Sequence, residues 1–372
     1  MSEVSITRRS ALAAGLSLAA APGLTQGEPM SVAQPFDCFE LGEQTGLAAL
    51  RKVRRQAPLV PPGEVLVRVR AAALNHRDLT IAKGRYGPKK PLSRIPGGDG
   101  AGEVVALGEG VNGIEPGARV TAPHFVSWVD GEFDPGVFMA DLGSSRDGWF
   151  SEYILLPANA LVILPDSMSF EAAAAWGAAG ITAWTVLQTL GQIKPGDTIL
   201  TLGTGGVSML ALQIATMAGA RVAITSSSDE KLSIARELGA DITVNYRSNP
   251  DWADAVRAAT GGRGVDIVVE TVGLATLTQS LSCCAPNARV GLLGALGGRP
   301  EQGADLGGLI LGNVVLKGIT SGNRRMLEEL LRAADANDVQ PKIDRRFSFA
   351  ETLAAYEYLA SAAHVGKVLI TG

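Results

Sequence analysis

Cysteine is scarce in this 372-residue chain, with Cys38, Cys283 and Cys284 the whole complement. Three thiols exclude a disulfide scaffold and a four-thiolate zinc lobe. A basic excess is lacking too. Lys plus Arg number 33 against 37 Asp plus Glu, a net charge of −4, and no basic stripe stands out. That balance argues against a general nucleic-acid binder. No apolar run is long enough to span a bilayer core of about 30 Å. What the chain has in excess is glycine: 45 residues, about 12% against a usual roughly 7%. They cluster without a collagen period. In a globular mixture of 46% apolar and 19% charged residues, clustered glycine points to tight turns or to backbone lying close against a ligand.

The first residues form a segment of their own. Arg8-Arg9 precede a weakly hydrophobic run from Ala11 to Ala21 with small residues at its end. Residues 1–29 resemble a twin-arginine export signal, which implies a folded, cofactor-loaded passenger and a periplasmic location. Pro22 opposes cleavage directly after Ala21. The alternatives are a tail without fixed structure, a start at Met30, and a cytoplasmic protein.

From Pro61 the pattern is β. Val65, Val67 and Val69 alternate with Leu66, Arg68 and Arg70 after a Pro-Pro-Gly turn, predicting a half-buried strand. Further short strands are expected at Gly102–Leu107 and Arg119–Ala122, separated by glycine-rich turns, as in a small barrel-like domain. Residues 124–147 hold Trp128, Phe133 and Phe138 with no period. A loop of this length is functional or disordered. Trp128 and Phe133 either wall an apolar pocket or simply pack. After Pro165 strands and helices alternate: strands at Thr198–Leu202, Arg221–Thr225, Ile242–Asn245, Val265–Glu270 and Arg289–Leu293, with helices between them. That order predicts a doubly wound parallel sheet. A helix at Phe349–Ala360 and a strand at Lys367–Ile370 close the chain, the strand returning to the β domain. The expected division is 1–29, a β domain over 30–164, a parallel α/β domain over 165–312, and a return segment over 313–372.

The turn Leu202-Gly203-Thr204-Gly205-Gly206-Val207-Ser208 joins a buried strand to a helix. Gly203 permits the turn, Gly205 lets backbone approach a pyrophosphate, and the helix N-terminus offers free N–H groups. Ser208 replaces the usual third glycine. A dinucleotide site is expected here. Its second strand ends Thr225-Ser226-Ser227-Ser228, without the acid that binds a ribose 2′-hydroxyl. Asp229 follows as a cap or first residue of the next helix, and Lys231 lies nearby. Hydroxyls and a cation suit NADPH better than NADH.

On these residues the chain from about Pro61 to Gly372 resembles the medium-chain dehydrogenases/reductases. It is most similar to their zinc-free, quinone-oxidoreductase-like branch, also labelled zinc-type alcohol dehydrogenase-like. The stretches that carry the resemblance include PPGEVLVRVRAAALNHRDL, PGGDGAGEVVALGEGV, AAGITAWTVL, KPGDTILTLGTGGVSMLALQIA, GGRGVDIVVETVG and HVGKVLITG. The resemblance implies a GroES-like barrel interrupted by a Rossmann domain, with the active site in the cleft between them. It further implies that Thr182, Leu293 and Gly294 lie near the nicotinamide, with Gly291 at the start of that run. Gly203, Thr204, Gly205, Gly206 and Val207 would hold the pyrophosphate. Ser226, Ser227, Lys231 and Tyr246 would surround the 2′-phosphate, and Lys367 would contact the cofactor. A homodimer, paired along the strand near Val314–Gly318, is also implied.

The departures bear on chemistry. Zinc-dependent members carry a Cys where this chain has Asn75, and a His where it has Gly98. Their later cysteine has no counterpart. Asn and Gly do not replace a thiolate and an imidazole, and His76 with Asp78 gives too few ligands. The expectation is therefore a zinc-free oxidoreductase that passes hydride from NADPH to a quinone, enone or other activated carbonyl. Asn75 and His76 are the candidate donors to the developing oxyanion, and Asp78 a brace for their turn. The alternatives are an alcohol dehydrogenase or aldehyde reductase of the same family, and a non-catalytic NADPH-binding protein.

Overall fold

A computed structural model describes residues 34–294, 296–298 and 303–372. The export-signal reading falls on residues 1–29 and lies outside them.

The chain opens on a hairpin, β1 (Phe36–Glu40) paired antiparallel with β2 (Arg51–Arg55). β3 (Glu64–Leu74) follows the Pro-Pro-Gly turn and is the longest strand of the barrel. Val65 and Val67 are fully buried, as the alternation predicts, but Leu66 is buried too. The reason is a second, smaller apolar cluster on the other face, where Leu66 packs with Val60 and Ala106, while β3 pairs on its edges with β4 (Asp99–Leu107) and β6 (Tyr153–Pro157). Helix α1 (His76–Ala82) leaves the end of β3. Short strands β5 (Arg119–Thr121) and β7 (Val162–Ile163) complete the first part of the sheet.

Helix α2 (Phe170–Trp184) was not expected from periodicity. Ala172 to Trp184 are all buried, so no polar face marks it. It runs on as a π turn, Thr185–Leu190. Then comes the alternating unit: β8 (Thr198–Leu202), α3 (Gly206–Met217), β9 (Arg221–Ser226), α4 (Asp229–Glu237), β10 (Ile242–Asn245), α5 (Trp252–Ala259), β11 (Val265–Glu270), α6 (Leu274–Ser282), β12 (Cys284–Leu292), α7 (Gly307–Leu311) and β13 (Val315–Gly318). All five pairings are parallel, in the order β10-β9-β8-β11-β12-β13. That is the six-stranded Rossmann order, whose direction of winding reverses between β8 and β11. β8 is buried along its whole length, as a strand covered on both faces must be.

The expected boundary at residue 312 needs correcting. β13 is the sixth strand of the parallel sheet, not part of the return segment. Its sequence is only partly buried, so no apolar run marked it. Helix α8 (Arg324–Ala336) lies between, before β14 (Ile343–Ser348), α9 (Thr352–Ala360) and β15 (Lys367–Thr371). β15 does return to the barrel, antiparallel to β3 and parallel to β14.

Candidate active site

Gly203 has φ +72°, and Gly205 is extended at φ −75°, ψ −177°. A Cβ built on either would meet nothing within 4 Å. The turn therefore presents bare backbone to open space at the N-terminus of α3, a cradle suited to a pyrophosphate. It is pinned from behind: the Ser208 and Thr271 hydroxyls both donate to the Leu202 carbonyl, at 2.6 and 2.8 Å. Ser208 thus does more than replace a small glycine. The cradle sits beside the switch between β8 and β11, where open α/β sheets bind ligands.

At the end of β9, Ser226 is buried and its carbonyl accepts the Tyr246 N–H at 3.0 Å. Tyr246 is half-exposed alongside. Ser228 caps α4 by accepting the Lys231 N–H, so Asp229 is the first residue of the helix rather than its cap. The Asp229 carboxylate is held by Asn245 Nδ2 at 3.0 Å. Lys231 Nζ reaches the carbonyls of Ala362 and His364, at 2.7 and 3.3 Å. This ties the start of α4 to the segment leading into β15. Leu293 and Gly294 follow β12 and donate to the Glu270 carbonyl. Glu270 is buried and fully engaged, accepting from Val272, Gly273, Thr276 and Ser280. Gly291, by contrast, is packed inside the sheet, where a Cβ would strike Val186 at 2.5 Å.

Lys367 ties the two domains together. Its ammonium is 2% exposed, donates to the Leu74 carbonyl at 2.9 Å and to Asn75 Oδ1 at 2.7 Å, and lies 3.7 Å from Asp99. Burial pulls its pKa below the ordinary range, and Asp99 opposes that pull. A Cβ on Gly206 would touch its stem at 3.0 Å, and the Gly366 N–H donates to the Thr204 carbonyl. Asp99 in turn accepts from Asn75 Nδ2 at 2.7 Å and from the Ala178 N–H at 2.8 Å. The latter bond requires α2 to break at Gly177, where any Cβ would meet the Asp99 carboxylate at 2.4 Å. Phosphate loop, β15, the end of β3 and the kink of α2 so share one polar node. Sequence reading named Asn75 and Lys367 but missed Asp99; the Gly97–Gly102 cluster around it was the available signal. Thr182 lies one turn beyond the kink, its hydroxyl donating to the Ala178 carbonyl at 2.6 Å.

Asn75 caps α1, with Asp78 closing the capping box by accepting the Asn75 N–H at 2.7 Å. His76 follows, exposed to solvent on part of its surface, and the protein around the rest of its ring, with the Lys83 charge second, lowers its pKa. Burial pushes the Asp78 carboxyl up to about 6, against the pull of Arg77. Its Oδ1 has no hydrogen-bond partner. A native pKa above the unfolded value means the folded chain holds the proton more tightly. Stability is therefore full near pH 4 and falls as pH rises through about 6, by roughly 3 kcal/mol for this group. Urea unfolding of Asp78→Asn should lose that part of the pH slope; an unchanged slope would assign it elsewhere.

Arg77 was not singled out by sequence, yet it defines the barrel side of the cleft. Its guanidinium lies where a side chain on residue 98 would go: a Cβ there would sit 2.3 Å from Nη1. Nη2 reaches both Asp141 oxygens, at 2.7 and 2.6 Å, and Nη1 the Leu142 carbonyl at 3.0 Å. Burial raises the Asp141 carboxyl, but Arg77 and His124 outweigh it and hold it below the usual range. Residues 124–142 form a loop with its own aromatic packing: Phe125 on Phe138, Trp128 on Phe133. The loop is tied to α8, with the carbonyls of Trp128 and Val129 accepting the first N–H groups of that helix, on Arg324 and Arg325. Among the described residues, no group of three His, Cys, Asp or Glu side chains converges as metal ligands do. Nor is any helix among them long and apolar enough to cross a membrane.

A Rossmann sheet inserted in a GroES-like barrel, with a bare-backbone cradle at the switch point, is the build of a nicotinamide-dependent oxidoreductase. Comparison with known proteins agrees. Residues 61–166 match the alcohol dehydrogenase GroES-like domain, and residues 206–336 match the zinc-binding dehydrogenase domain. A zinc-type alcohol dehydrogenase-like protein of Schizosaccharomyces pombe is 41% identical over 334 residues, 88% of this chain and 96% of the relative. The crystal structure of an NAD-dependent alcohol dehydrogenase superimposes with TM-score 0.82 at 32% identity, covering 90% of this chain and 99% of that one. The quinone oxidoreductase of Pseudomonas syringae pv. Tomato does so with TM-score 0.76 at 30% identity, covering 91% and 100%. The chain belongs to the medium-chain dehydrogenase/reductase superfamily, and that family binds a nicotinamide cofactor.

Proposed function

We propose that this chain is a zinc-independent, NADPH-dependent reductase of quinones, enones or other activated carbonyls. The observation that carries the reading is the Arg77 guanidinium seated against Gly98. The donor set at the barrel side of the cleft is an amide (Asn75), a glycine (Gly98) and a guanidinium that Asp141 holds charged. None of these fits zinc. A cation without metal leaves an acceptor that is already electrophilic as the suitable partner for hydride.

The residues fit the dinucleotide. Gly203, Thr204, Gly205, Gly206 and Val207 would hold the pyrophosphate. Leu293, Gly294 and Thr182 would bound the nicotinamide end. Ser226, Ser227, Lys231 and Tyr246 would take the 2′-phosphate, with no free acid at the end of β9 to repel it. The bound cofactor supplies hydride. The chain's part is to fix the two domains about it through Lys367, Asn75 and Asp99, and to exclude water with the 124–142 loop. His76, exposed as the first residue of α1, would be the barrel-side group nearest Asn75 in sequence.

Two lesser readings go with it. The edge strand β13 carries a half-exposed Val315, and α7 before it leaves Ile310 and Leu311 more than four-fifths exposed. An isologous homodimer through this edge would cover them. Export through residues 1–29 would place the protein in the periplasm, and N-terminal sequencing of the native protein tests it.

The functional test is NADPH consumption with a panel of quinones, enals and simple aldehydes, alongside metal analysis of protein purified without chelator. Turnover with the conjugated acceptors, NADPH preferred over NADH, and zinc far below one per chain are expected. NADPH binding without turnover on any acceptor would leave a non-catalytic binding protein. Stoichiometric zinc with alcohol oxidation would make it an alcohol dehydrogenase.

A further inference from the structure

The chain has three histidines, and they stand in different surroundings. His76 is largely exposed and has no carboxylate partner among the described residues. His364 is pushed down to about 4, by burial first and the Lys231 charge second, and its Nδ1 is sealed without a partner. His124 is 3% exposed, and its Nδ1 lies 2.8 Å from Asp141 Oδ1. Asp141 is itself 0% exposed and gripped through both oxygens by Arg77. This fixes the imidazole. An ionised carboxylate with its position set by a guanidinium accepts Nδ1–H, which leaves Nε2 as the ring nitrogen free to face a reactant. Nε2 has no hydrogen-bond partner among the described residues, and it is not one of the sealed, unpartnered atoms that include His364 Nδ1.

The location is equally specific. His124 and Asp141 occupy the two stems of the loop, joined by Leu142 N–H to the His124 carbonyl at 2.8 Å. The His124 Cβ is 3.5 Å from the point a Cβ on Gly98 would occupy. Gly98 adjoins Asp99, and through Asn75 and Lys367 the contacts continue to Gly206 of the phosphate loop.

We infer that His124 is the proton donor of the reduction, with Asp141 and Arg77 as its positioning residues. The inference deepens the reductase reading and rests on it. As hydride reaches the acceptor carbon, the carbonyl π pair moves onto oxygen. The O–H bond then forms as the Nε2–H bond breaks, and the neutral imidazole left behind is reprotonated from water. The acceptor gains two electrons and two hydrogens; NADPH is oxidised. Asp141 stabilises the imidazolium before transfer, in the manner of other carboxylate–histidine couples. Four other ionisable groups face the cluster: Tyr86, whose ring lies 5.1 Å from the Arg77 guanidinium, Asp78 behind it, Lys90, and Arg94 beyond Lys90.

The test uses the full chain with NADPH and two acceptors, an ortho-quinone and crotonaldehyde, reading kcat against pH. Wild type should lose kcat on an alkaline limb. His124→Gln should lower kcat about 100-fold and abolish the limb, while NADPH affinity, read by fluorescence, changes by less than about threefold. Asp141→Asn should move the limb to lower pH, which a merely structural carboxylate would not do. A pH-independent kcat in the wild type, a His124→Gln that turns over normally, or a limb removed instead by His76→Gln would each overturn the role of His124. Should His124→Gln fail to fold, an unmoved limb in Asp141→Asn does so. Absence of turnover in the wild type on every acceptor sinks the reductase reading itself, and the proton role with it.

Discussion

Replacing Arg77 by alanine is expected to remove about 3–5 kcal/mol of folding stability. The physical reason is what remains. Asp141 is fully buried, and Arg77 is the cation that cancels its charge, with His124 its other side-chain partner. Take the guanidinium away and a carboxylate is stranded out of water, while the Leu142 carbonyl loses a donor. The cost is of the leftover charge, not the worth of the pair. The double variant Arg77→Ala with Asp141→Ala should therefore lose less than the sum of the two singles. Arg77→Lys keeps the charge but not the fork that spans both oxygens, and should fall between. Urea unfolding followed by circular dichroism measures all of these. A loss below about 1 kcal/mol for Arg77→Ala would mean that the pair behaves as a solvent-screened surface bridge, and the argument for a fixed cation against Gly98 would go with it.

The parts of this molecule that sequence announces are those with a simple period. β8 and β11 lie at the residues expected, because a strand covered on both faces is a nearly continuous apolar run between glycines, and the edge strand β10 because its buried Ile242 and Val244 alternate with half-buried polar residues. The phosphate loop was legible because glycine supplies φ +72° without strain and a cradle free of side chains. Other elements gave no such signal. α2 is buried all round, so its alanines carry no amphipathic period. β13 is short and half-exposed, and its place in the sheet depends on pairing with β12 across more than twenty residues. The site divides in the same way. Asn75 was visible as a departure from a metal-binding pattern. The partners that give it meaning come from distant elements: Asp99 lies 24 residues away, Lys367 lies 292 away. Arg77 and Asp141 are 64 apart, and nothing in either local sequence announces an ion pair. Gly98 was read as a missing ligand. The fold adds that it is also a seat, since the guanidinium needs the space a side chain would fill.

Two glycines of the cofactor cleft should fail in opposite ways when a side chain is added. Gly205→Val is expected to fold normally and lose NADPH affinity by about 100-fold or more, some 2.7 kcal/mol of binding. Its backbone is extended, a conformation any residue adopts, and a Cβ there meets no protein atom within 4 Å. The methyl groups would enter only the space in which backbone N–H groups of α3 face an anion. Replacing glycine at a helix N-cap costs the helix about 1 kcal/mol at most. Gly294→Ala should do the reverse. Its Cβ would fall 1.5 Å from the Thr271 carbonyl oxygen and 2.2 Å from the carbonyl carbon. Neither atom can step aside, because Glu270 holds the following turn at Val272 and Gly273, and the Thr271 hydroxyl is bonded to Leu202. The strand end must shift bodily, at a cost of about 1–3 kcal/mol or more, and cofactor affinity falls only as a consequence. Thermal melting beside fluorescence titration with NADPH separates the two. If Gly205→Val bound NADPH as the wild type does, the turn between β8 and α3 would not be the phosphate site. The cofactor would then have to lie elsewhere along the switch between β8 and β11.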